Sequence, residues 1–278
     1  MRRRKLRNGM GWPGIILVIV ALIVVLGPIV WVVRVATRPE SEYIGAPAEF
    51  FGGFTFDNFA VVWTQGGMAS AILNSAIAVL IGATLAVLLA SATGYAIARY
   101  RFRARGLAIA ITSTVLFLPL AALVIPLFEV MLSLKMLNSL IWLGVVYGIL
   151  FSAWATMFMR SYFMQLPHEV FEAADVDGAG ALRQFFSIAL PMAKPALATA
   201  FILTFFLQWS ELLLALLLMP SGDSPTVAVA IAQFSTQFRT GGPQTAAAMI
   251  LGTLPVLVLF VAGQRWLQSG ALSGAVKD

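Results

Sequence analysis

Residues 166–191 read LPHEVFEAADVDGAGALRQFFSIALP, a stretch that is neither apolar enough to cross a bilayer nor polar enough to be disordered. Pro167 suits the first position of a helix, Glu169 its positive end, and Gly178 with Gly180 a break or C-terminal cap. An apolar stripe at i, i+3, i+4 and i+7 follows: Leu182, Phe185, Phe186 and Ala189. The stretch therefore predicts a helix–turn–helix lying at a membrane surface, interrupted at Pro191.

Six apolar stretches flank this segment, four before it and two after it. They lie at about 12–33, 73–98, 107–128, 139–159, 196–218 and 246–267. Each reaches the roughly 20 residues that a transmembrane helix needs. Runs of this length in lipid must be helical, because each backbone polar group has to be satisfied within its own segment. The sequence predicts an all-α membrane protein with a single transmembrane domain over 1–278.

The composition agrees with a membrane protein and excludes several kinds of site. Of the 278 residues, 60% are hydrophobic and 11% are charged, against about 25% charged in ordinary soluble domains. The chain has no Cys and a single His, His168, so a thiolate metal centre or a histidine cluster is excluded. None of the four lysines follows a glycine, as the phosphate-binding loop of ATPases requires. We expect no catalytic residue, metal or cofactor in this chain.

The positive charges predict the orientation of the spans. Fourteen of the 18 Lys and Arg residues fall on one side of the membrane, at positions 2–5, 7, 99, 101, 103, 105, 160, 183, 194, 265 and 277. The other side carries Arg34, Arg38, Lys135 and Arg239. The positive-inside rule then places both termini in the cytoplasm. The basic balance thus reflects topology and not nucleic-acid binding, and the run 99–105 is a plain charged turn.

The first apolar stretch has two interpretations. It follows an N-terminal basic cluster, as the apolar region of a signal peptide does. Its apolar run is longer than the usual 7–15 residues, and no clear cleavage pattern follows. We expect an uncleaved membrane anchor.

The segment 160–195 would face the cytoplasm and would present four acidic side chains: Glu169, Glu172, Asp175 and Asp177. Helices that rest on lipid headgroups favour Lys and Arg on their polar face. Ala173 and Ala174 leave room for another backbone to approach closely. We therefore favour a basic protein partner, with the helix set into its groove.

Glu211 is the one carboxylate deep in a predicted span. An intramembrane ionisable group indicates function by default, and Gln208 would share its helix face. The two side chains could line a polar path. Alternatively, Glu211 pairs with a neighbouring helix or stabilises a dimer. Pro119 and Pro126 are expected to kink the third span.

The cytoplasmic segment resembles a known motif. Glu172-Ala173-Ala174, three residues, Gly178, nine residues and Ile188-x-Leu190-Pro191 are similar to the EAA motif of permease subunits of ATP-binding-cassette (ABC) importers. Asp177-Gly178-Ala179 resembles the version usual in carbohydrate importers. The C-terminal residues 269–277 resemble the ending of MalG-like permeases, with Asp278 in place of a final Gly. Trp209-Ser210-Glu211 resembles the family's Trp-Asn-Glu, and Asn74 also fits the family pattern.

The resemblance implies a type I ABC importer permease fold with cytoplasmic coupling helices. It assigns 160–195 to ATPase coupling, through Glu172, Ala173, Ala174, Asp177, Gly178, Ala179, Leu190 and Pro191. Glu172 and Gly178 are the positions that it marks as most sensitive. Candidates for the translocation path are Asn74, Gln208, Trp209 and Glu211.

The resemblance also implies the setting of the chain. It would be a multi-pass subunit of the bacterial inner membrane that forms half of a sugar pathway. Its partners would be a second, MalF-like permease, a dimer of ATPase subunits that uses ATP and Mg, an extracytoplasmic sugar-binding protein and the lipid bilayer.

Three alternatives stay open. A permease of the same architecture could carry glycerol phosphate, phosphate or polyamine. A secondary transporter would work alone on an ion gradient, although the coupling loop argues against it. An intramembrane enzyme would need a cluster of catalytic groups, and the single His and absent Cys leave little to build one.

Overall fold

The computed structural model describes residues 12–237 and 242–272, and the regular structure in these residues is helical throughout. This confirms the predicted all-α class. The N-terminal basic cluster, Arg239 and positions 273–278 lie outside the described residues. The helices in chain order are α1 (Trp12–Ala36), α2 (Glu40–Gly45), α3 (Asp57–Thr64), α4 (Met68–Arg99), α5 (Arg105–Phe117), α6 (Leu120–Ser133), α7 (Leu140–Phe163), α8 (His168–Val176), α9 (Ala181–Gln184), a widened π-helical turn (Phe185–Ala189), α10 (Leu190–Met192), α11 (Lys194–Trp209), α12 (Leu213–Leu218), α13 (Val227–Gln237) and α14 (Pro243–Leu272).

Four of these helices are long and apolar enough to cross a membrane by themselves: α1, α4, α7 and the Pro243–Leu267 part of α14. Two bent pairs raise the number to six if each is one span. The pairs are α5 with α6, bent by 103°, and Ala181–Met192 with α11, bent by 74°. The division into one domain over 1–278 stays a prediction.

The third predicted span, 107–128, is not one continuous helix. α5 ends at Phe117 and α6 begins at Leu120. Leu118 is extended, with ψ of 123°, because the ring of Pro119 disfavours the helical conformation in the preceding residue. Pro119 therefore breaks the span as expected, whereas Pro126 lies inside the continuous α6.

The fifth predicted span, 196–218, is also divided. α11 ends at Trp209 and α12 begins at Leu213, so Ser210, Glu211 and Leu212 lie between two helices. The prediction that Gln208 and Glu211 share one helix face is wrong for this reason. Ser210 favours such a break, because a short hydroxyl side chain competes for backbone hydrogen bonds; its Oγ donates to the Phe206 carbonyl at 3.2 Å.

The chain divides into two compact units, which we describe separately. One consists of residues 67–230 with 252–272 and holds α4 to α12. Its centre is the contact between α4 and α7. A Cβ on Gly82 would lie 2.9 Å from Tyr147 Cβ and 3.0 Å from the Gly144 carbonyl oxygen, and one on Gly144 would lie 2.6 Å from the Ala78 carbonyl oxygen. The absence of a side chain at these glycines therefore lets the backbones of the two helices come into contact.

The other unit consists of residues 12–66 with 231–237 and 242–251. Its interior holds Arg38, which is 1% exposed. The Arg38 guanidinium donates to the carbonyl oxygens of Ala46 at 3.0 Å and Glu49 at 2.7 Å. Asn58 Nδ2 donates to the carbonyls of Ala36 and Arg38 at 2.9 and 2.8 Å. These bonds fold the chain after α1 back onto the end of that helix.

Candidate coupling segment and intramembrane polar cluster

α8 has one packed face and one exposed face. Phe171 and Ala174 are buried, at 2% and 7% exposure. Glu172 and Ala173, which lie between them in sequence, are exposed. The helix therefore exposes Glu172 and Ala173, while Phe171 packs against the rest of the unit.

Phe171 belongs to an aromatic cluster centred on Tyr95, near the end of α4. The centre of the Tyr95 ring lies 5.4 Å from that of Phe163, 5.1 Å from that of Phe185 and 6.3 Å from that of Phe171. Tyr100 adds an edge-on contact at 5.8 Å. The cluster thus ties α8 and the π-helical turn to the ends of both α4 and α7. Close-packed rings leave little room for α8 to shift alone.

Arg99 also holds the start of α8. Its Nη1 donates to His168 Nδ1 at 2.8 Å, and its guanidinium carbon lies 4.5 Å from the centre of the Phe171 ring. An arginine can only donate, so His168 is the acceptor in this contact. The interpretation of Arg99 as part of a plain charged turn missed this contact. No sequence signal could have found it, since 69 positions separate the two residues.

The turn after α8 depends on Gly178. The N–H of Ala179 donates to the Ala174 carbonyl at 2.9 Å, and the N–H of Gly178 donates to the Asp175 carbonyl at 3.1 Å. Gly178 itself has φ of +73°. This is the Schellman arrangement, in which a left-handed residue ends a helix, and glycine adopts it without a Cβ penalty. Gly180, by contrast, has an ordinary φ of −66°.

Gln184, in α9, stabilises the turn through two hydrogen bonds. It is 4% exposed, and its Nε2 donates to Asp175 Oδ1 at 2.5 Å and to the Ala179 carbonyl at 2.8 Å. One amide therefore bonds to the end of α8 and to the residue after Gly178. No sequence motif marks Gln184, because its partners are set by the fold of the turn.

The apolar stripe after the turn is divided between two environments. Ala189 is fully buried and Phe185 is half-buried, whereas Leu182 and Phe186 are 74% and 62% exposed. The π-helical turn comes directly before Leu190 and Pro191. A proline ring clashes with the carbonyl four residues earlier in a regular helix, and a widened turn relieves this clash. Pro191 is exposed and Leu190 half-buried.

The exposed surface of the segment is suited to a protein partner. It combines carboxylates with uncovered apolar side chains, among which Val176 is 89% exposed. A recess of about 230 Å³ opens beside it, lined by Ala174, Asp177, Ala179, Arg183, Ser187 and Ile188. The segment thus presents a small, acidic, partly apolar face outward, while Phe171 and Phe185 pack on Tyr95 near the end of α4.

Glu211 occupies the break between α11 and α12 and is 8% exposed. Its Oε2 accepts a hydrogen bond from the Tyr147 hydroxyl at 2.9 Å. Its carboxylate also accepts from the N–H of Leu214 at 2.9 Å and of Ala215 at 3.2 Å. Glu211 therefore satisfies two N–H groups in the first turn of α12 and bonds to α7. This geometry matches the alternative in which Glu211 pairs with a neighbouring helix.

Gln208 lies one turn earlier, at the contact of α4 and α7. It is 1% exposed, and neither its Oε1 nor its Nε2 has a hydrogen-bond partner. A Cβ on Gly82 would lie 2.5 Å from Gln208 Oε1. The amide is therefore enclosed among helices of its own unit, where an unpaired polar group is costly.

Trp209 and Asn74 lie elsewhere. Trp209 Nε1 donates to the Gly252 carbonyl at 3.0 Å. Asn74 Nδ2 donates to the Pro225 carbonyl at 3.1 Å, beside Ser75 Oγ, which accepts from the N–H of Val227 at 2.8 Å. Trp209 and Asn74 thus form hydrogen bonds that are separate from those of Glu211. Among the described residues, no group of three or more His, Cys, Asp or Glu could hold a metal ion.

Comparison with known proteins identifies relatives of this chain. Residues 82–272 match the family described as the inner membrane component of binding-protein-dependent transport systems. The diacetylchitobiose uptake system permease protein of Streptomyces coelicolor is 28% identical over 263 residues, covering 94% of this chain and 87% of that protein. The trehalose transport system permease protein of Mycobacterium tuberculosis is 32% identical over 254 residues, covering 90% and 92%. The sn-glycerol-3-phosphate transport system permease protein of Yersinia pestis is 32% identical over 270 residues, covering 92% and 93%.

A solved structure shares the fold. One chain of a bacterial ABC transporter involved in the import of the acidic polysaccharide alginate superposes with a TM-score of 0.74 at 20% identity, covering 95% of this chain and 98% of that chain. The family match extends over more than half of the sequence and includes the EAA-like segment. The chain therefore belongs to the inner-membrane permease components of binding-protein-dependent transport systems.

Proposed function

We propose that this permease imports a carbohydrate, as half of a membrane pathway that it forms with a second permease. The observation that carries the proposal is similarity along almost the whole chain to permeases named for diacetylchitobiose and trehalose uptake. The Asp177-Gly178-Ala179 version of the motif supports the same class of solute. In this proposal a sugar-binding protein delivers the solute from outside, and both termini of the chain are cytoplasmic.

The energy would come from a separate pair of ATPase subunits that use ATP and Mg. The sequence has no Gly-Lys pair from which a phosphate-binding loop could be built. The coupling segment, residues 160–195, would dock on the ATPases through the exposed Glu172, Ala173 and Asp177. The buried face of α8 supports this role, because it packs against the ends of α4 and α7. Movement of the ATPases would therefore reach these membrane helices and shift them between inward-open and outward-open states.

We propose that the main role of Glu211 within the membrane is to hold α12 to α7 through hydrogen bonds, and not to contact the solute. Its carboxylate is occupied by one hydroxyl and two backbone N–H groups. Gln208 keeps free hydrogen-bonding capacity, but it would need a rearrangement of α4 or α7 to reach a solute. The solute path would then depend chiefly on other surfaces of the two permeases.

The test is uptake of labelled solute by cells that carry the complete transporter, with and without this chain. We expect disaccharides or short oligosaccharides to be taken up only when the chain is present, and unlabelled sugars of the same class to compete. Glycerol phosphate is the second candidate, because a permease named for it is 32% identical. Competition by glycerol phosphate together with no competition by any sugar would refute the carbohydrate proposal.

Co-purification tests the partners. We expect an ATPase and a second membrane subunit to be retained with the tagged chain after mild solubilisation. A chain that transports alone, driven by an ion gradient and insensitive to depletion of ATP, would instead be a secondary transporter.

A further inference from the structure

A cluster of exposed aromatic rings follows the first membrane helix. Phe51, Phe54 and Phe56 are 79%, 66% and 65% exposed, and Phe50 is 40% exposed. Ring centres lie 5.5 Å apart for Phe50 and Phe51, and 5.0 Å apart for Phe54 and Phe56. We call residues 50–56 the aromatic segment. Four large rings within seven residues are an unusual surface to leave in water.

Contacts with α1 fix the depth of the aromatic segment relative to that helix. The Phe50 ring lies 6.1 Å from the Trp31 ring, and the Phe50 carbonyl accepts from Arg34 Nε at 2.6 Å. The N–H of Thr55 donates to the Thr37 carbonyl at 2.7 Å. Trp31 lies five residues before the end of α1 at Ala36, which at about 1.5 Å per residue is roughly 7 Å along the helix. The segment therefore folds back beside the last turns of a membrane span.

The side chains of the segment are apolar except that of Thr55, and one neighbouring carboxylate, that of Glu42, accepts from the N–H of Gly53 at 2.7 Å. Residues 50–56 read FFGGFTF and carry no charge, while Glu49 and Asp57 flank them. The terminal guanidinium nitrogens of Arg34 are covered and offer no accessible donor to a phosphate. Rings at this depth, without an exposed cation among them, fit the boundary between headgroups and acyl chains.

We propose that the aromatic segment inserts into the bilayer surface at the Ala36 end of α1 and anchors this unit to lipid. Lipid then covers the exposed rings of the aromatic segment. Burial of the rings, and not binding of anionic headgroups, stabilises this contact. The proposal does not depend on which solute is carried.

The chain contains no Cys, so single labels can be placed without removing native thiols. Spin labels at Phe51→Cys and Phe54→Cys are compared with two references, Val24→Cys in the middle of α1 and Ser41→Cys in α2. Val24 is 68% exposed, and Ser41 is exposed as well. Each variant is assembled with cysteine-free partner subunits in phosphatidylcholine nanodiscs, and retained solute uptake by cells that carry the same variant shows that it is folded.

The measured quantity is the collision rate of the label with oxygen divided by that with a water-soluble nickel chelate. We expect this ratio to be severalfold higher at positions 51 and 54 than at 41, approaching the ratio at 24, and to be unchanged when phosphatidylglycerol is added. Ratios equal to that at 41 would place the rings in water, and labels reached by neither quencher would place them against a protein. Either result, or insertion only with anionic lipid, would overturn the proposal.

Discussion

Replacing Gly178 by Ala tests whether the turn after α8 serves ATPase coupling. Gly178 has φ of +73° and ends α8 in a Schellman arrangement. A non-glycine residue in the left-handed region costs about 1–2 kcal/mol, which changes the population of this turn relative to other conformations by roughly 5- to 30-fold. A Cβ at this position would meet nothing within 4 Å in the chain itself. The variant should therefore fold and reach the membrane while its docking surface is poorly held.

Gly180→Ala is the matched control. Gly180 lies two residues later, has φ of −66°, and a Cβ there would also meet nothing within 4 Å. The control adds the same methyl group to the same exposed turn without the left-handed strain, so its docking surface should keep its conformation.

The assay is uptake of labelled sugar at equal membrane levels, together with the amount of ATPase retained on the purified permease. We expect Gly178→Ala to lower both, by no more than the roughly 5- to 30-fold change in population that the strain sets. Gly180→Ala should stay close to the unaltered protein. Equal uptake and equal ATPase retention in the two variants would refute the assignment of this turn to coupling.

Three further changes test the packing of Phe171 beneath α8, the hydrogen bond between Tyr147 and Glu211, and the contact between α4 and α7. Phe171→Ala should uncouple the transporter, because it empties a buried ring site at a cost of about 3–5 kcal/mol; ATP hydrolysis should continue while uptake falls, and Phe171→Leu should restore part of the ratio of uptake to hydrolysis. Tyr147→Phe removes a hydrogen-bond donor to Glu211, worth about 0.5–2 kcal/mol in membrane proteins. We expect a lower Tm with unchanged solute affinity. An unchanged Tm with altered solute affinity would instead place Glu211 in the solute path. Gly82→Ala should lower Tm and membrane level through overpacking of about 1–3 kcal/mol, whereas Gly106→Ala, in open space on α5, should leave both unchanged.

The features that the sequence predicted well are those fixed by short-range chemistry. Long apolar runs predicted helices, since lipid leaves the backbone no other partner. Gly178 predicted a helix end, because the left-handed conformation is a property of a single residue. Pro119 predicted a break in the third span for an equally local reason.

The features that escaped prediction depend on residues far apart in the chain. Arg99 meets His168 across 69 positions, and Tyr147 meets Glu211 across 64. Hydropathy could not locate the break at 210–212, because leucines on both sides make the run look continuous. The break becomes intelligible only once α7 supplies a hydroxyl to the carboxylate that caps α12.

One helix joins the two sites. Phe163, in the last turn of α7, packs on the Tyr95 ring beneath α8, and Tyr147, on the same helix, bonds to Glu211 at the break between α11 and α12. Sixteen residues separate the two, which at 1.5 Å per residue is about 24 Å of rigid helix. α4 cannot absorb a shift of α7 by sliding, since Gly82 and Gly144 bring the two backbones into contact. In the proposed function, a push on α8 therefore moves Tyr147 with it, and the break beside Glu211 is the place where α11 and α12 can change their angle in response.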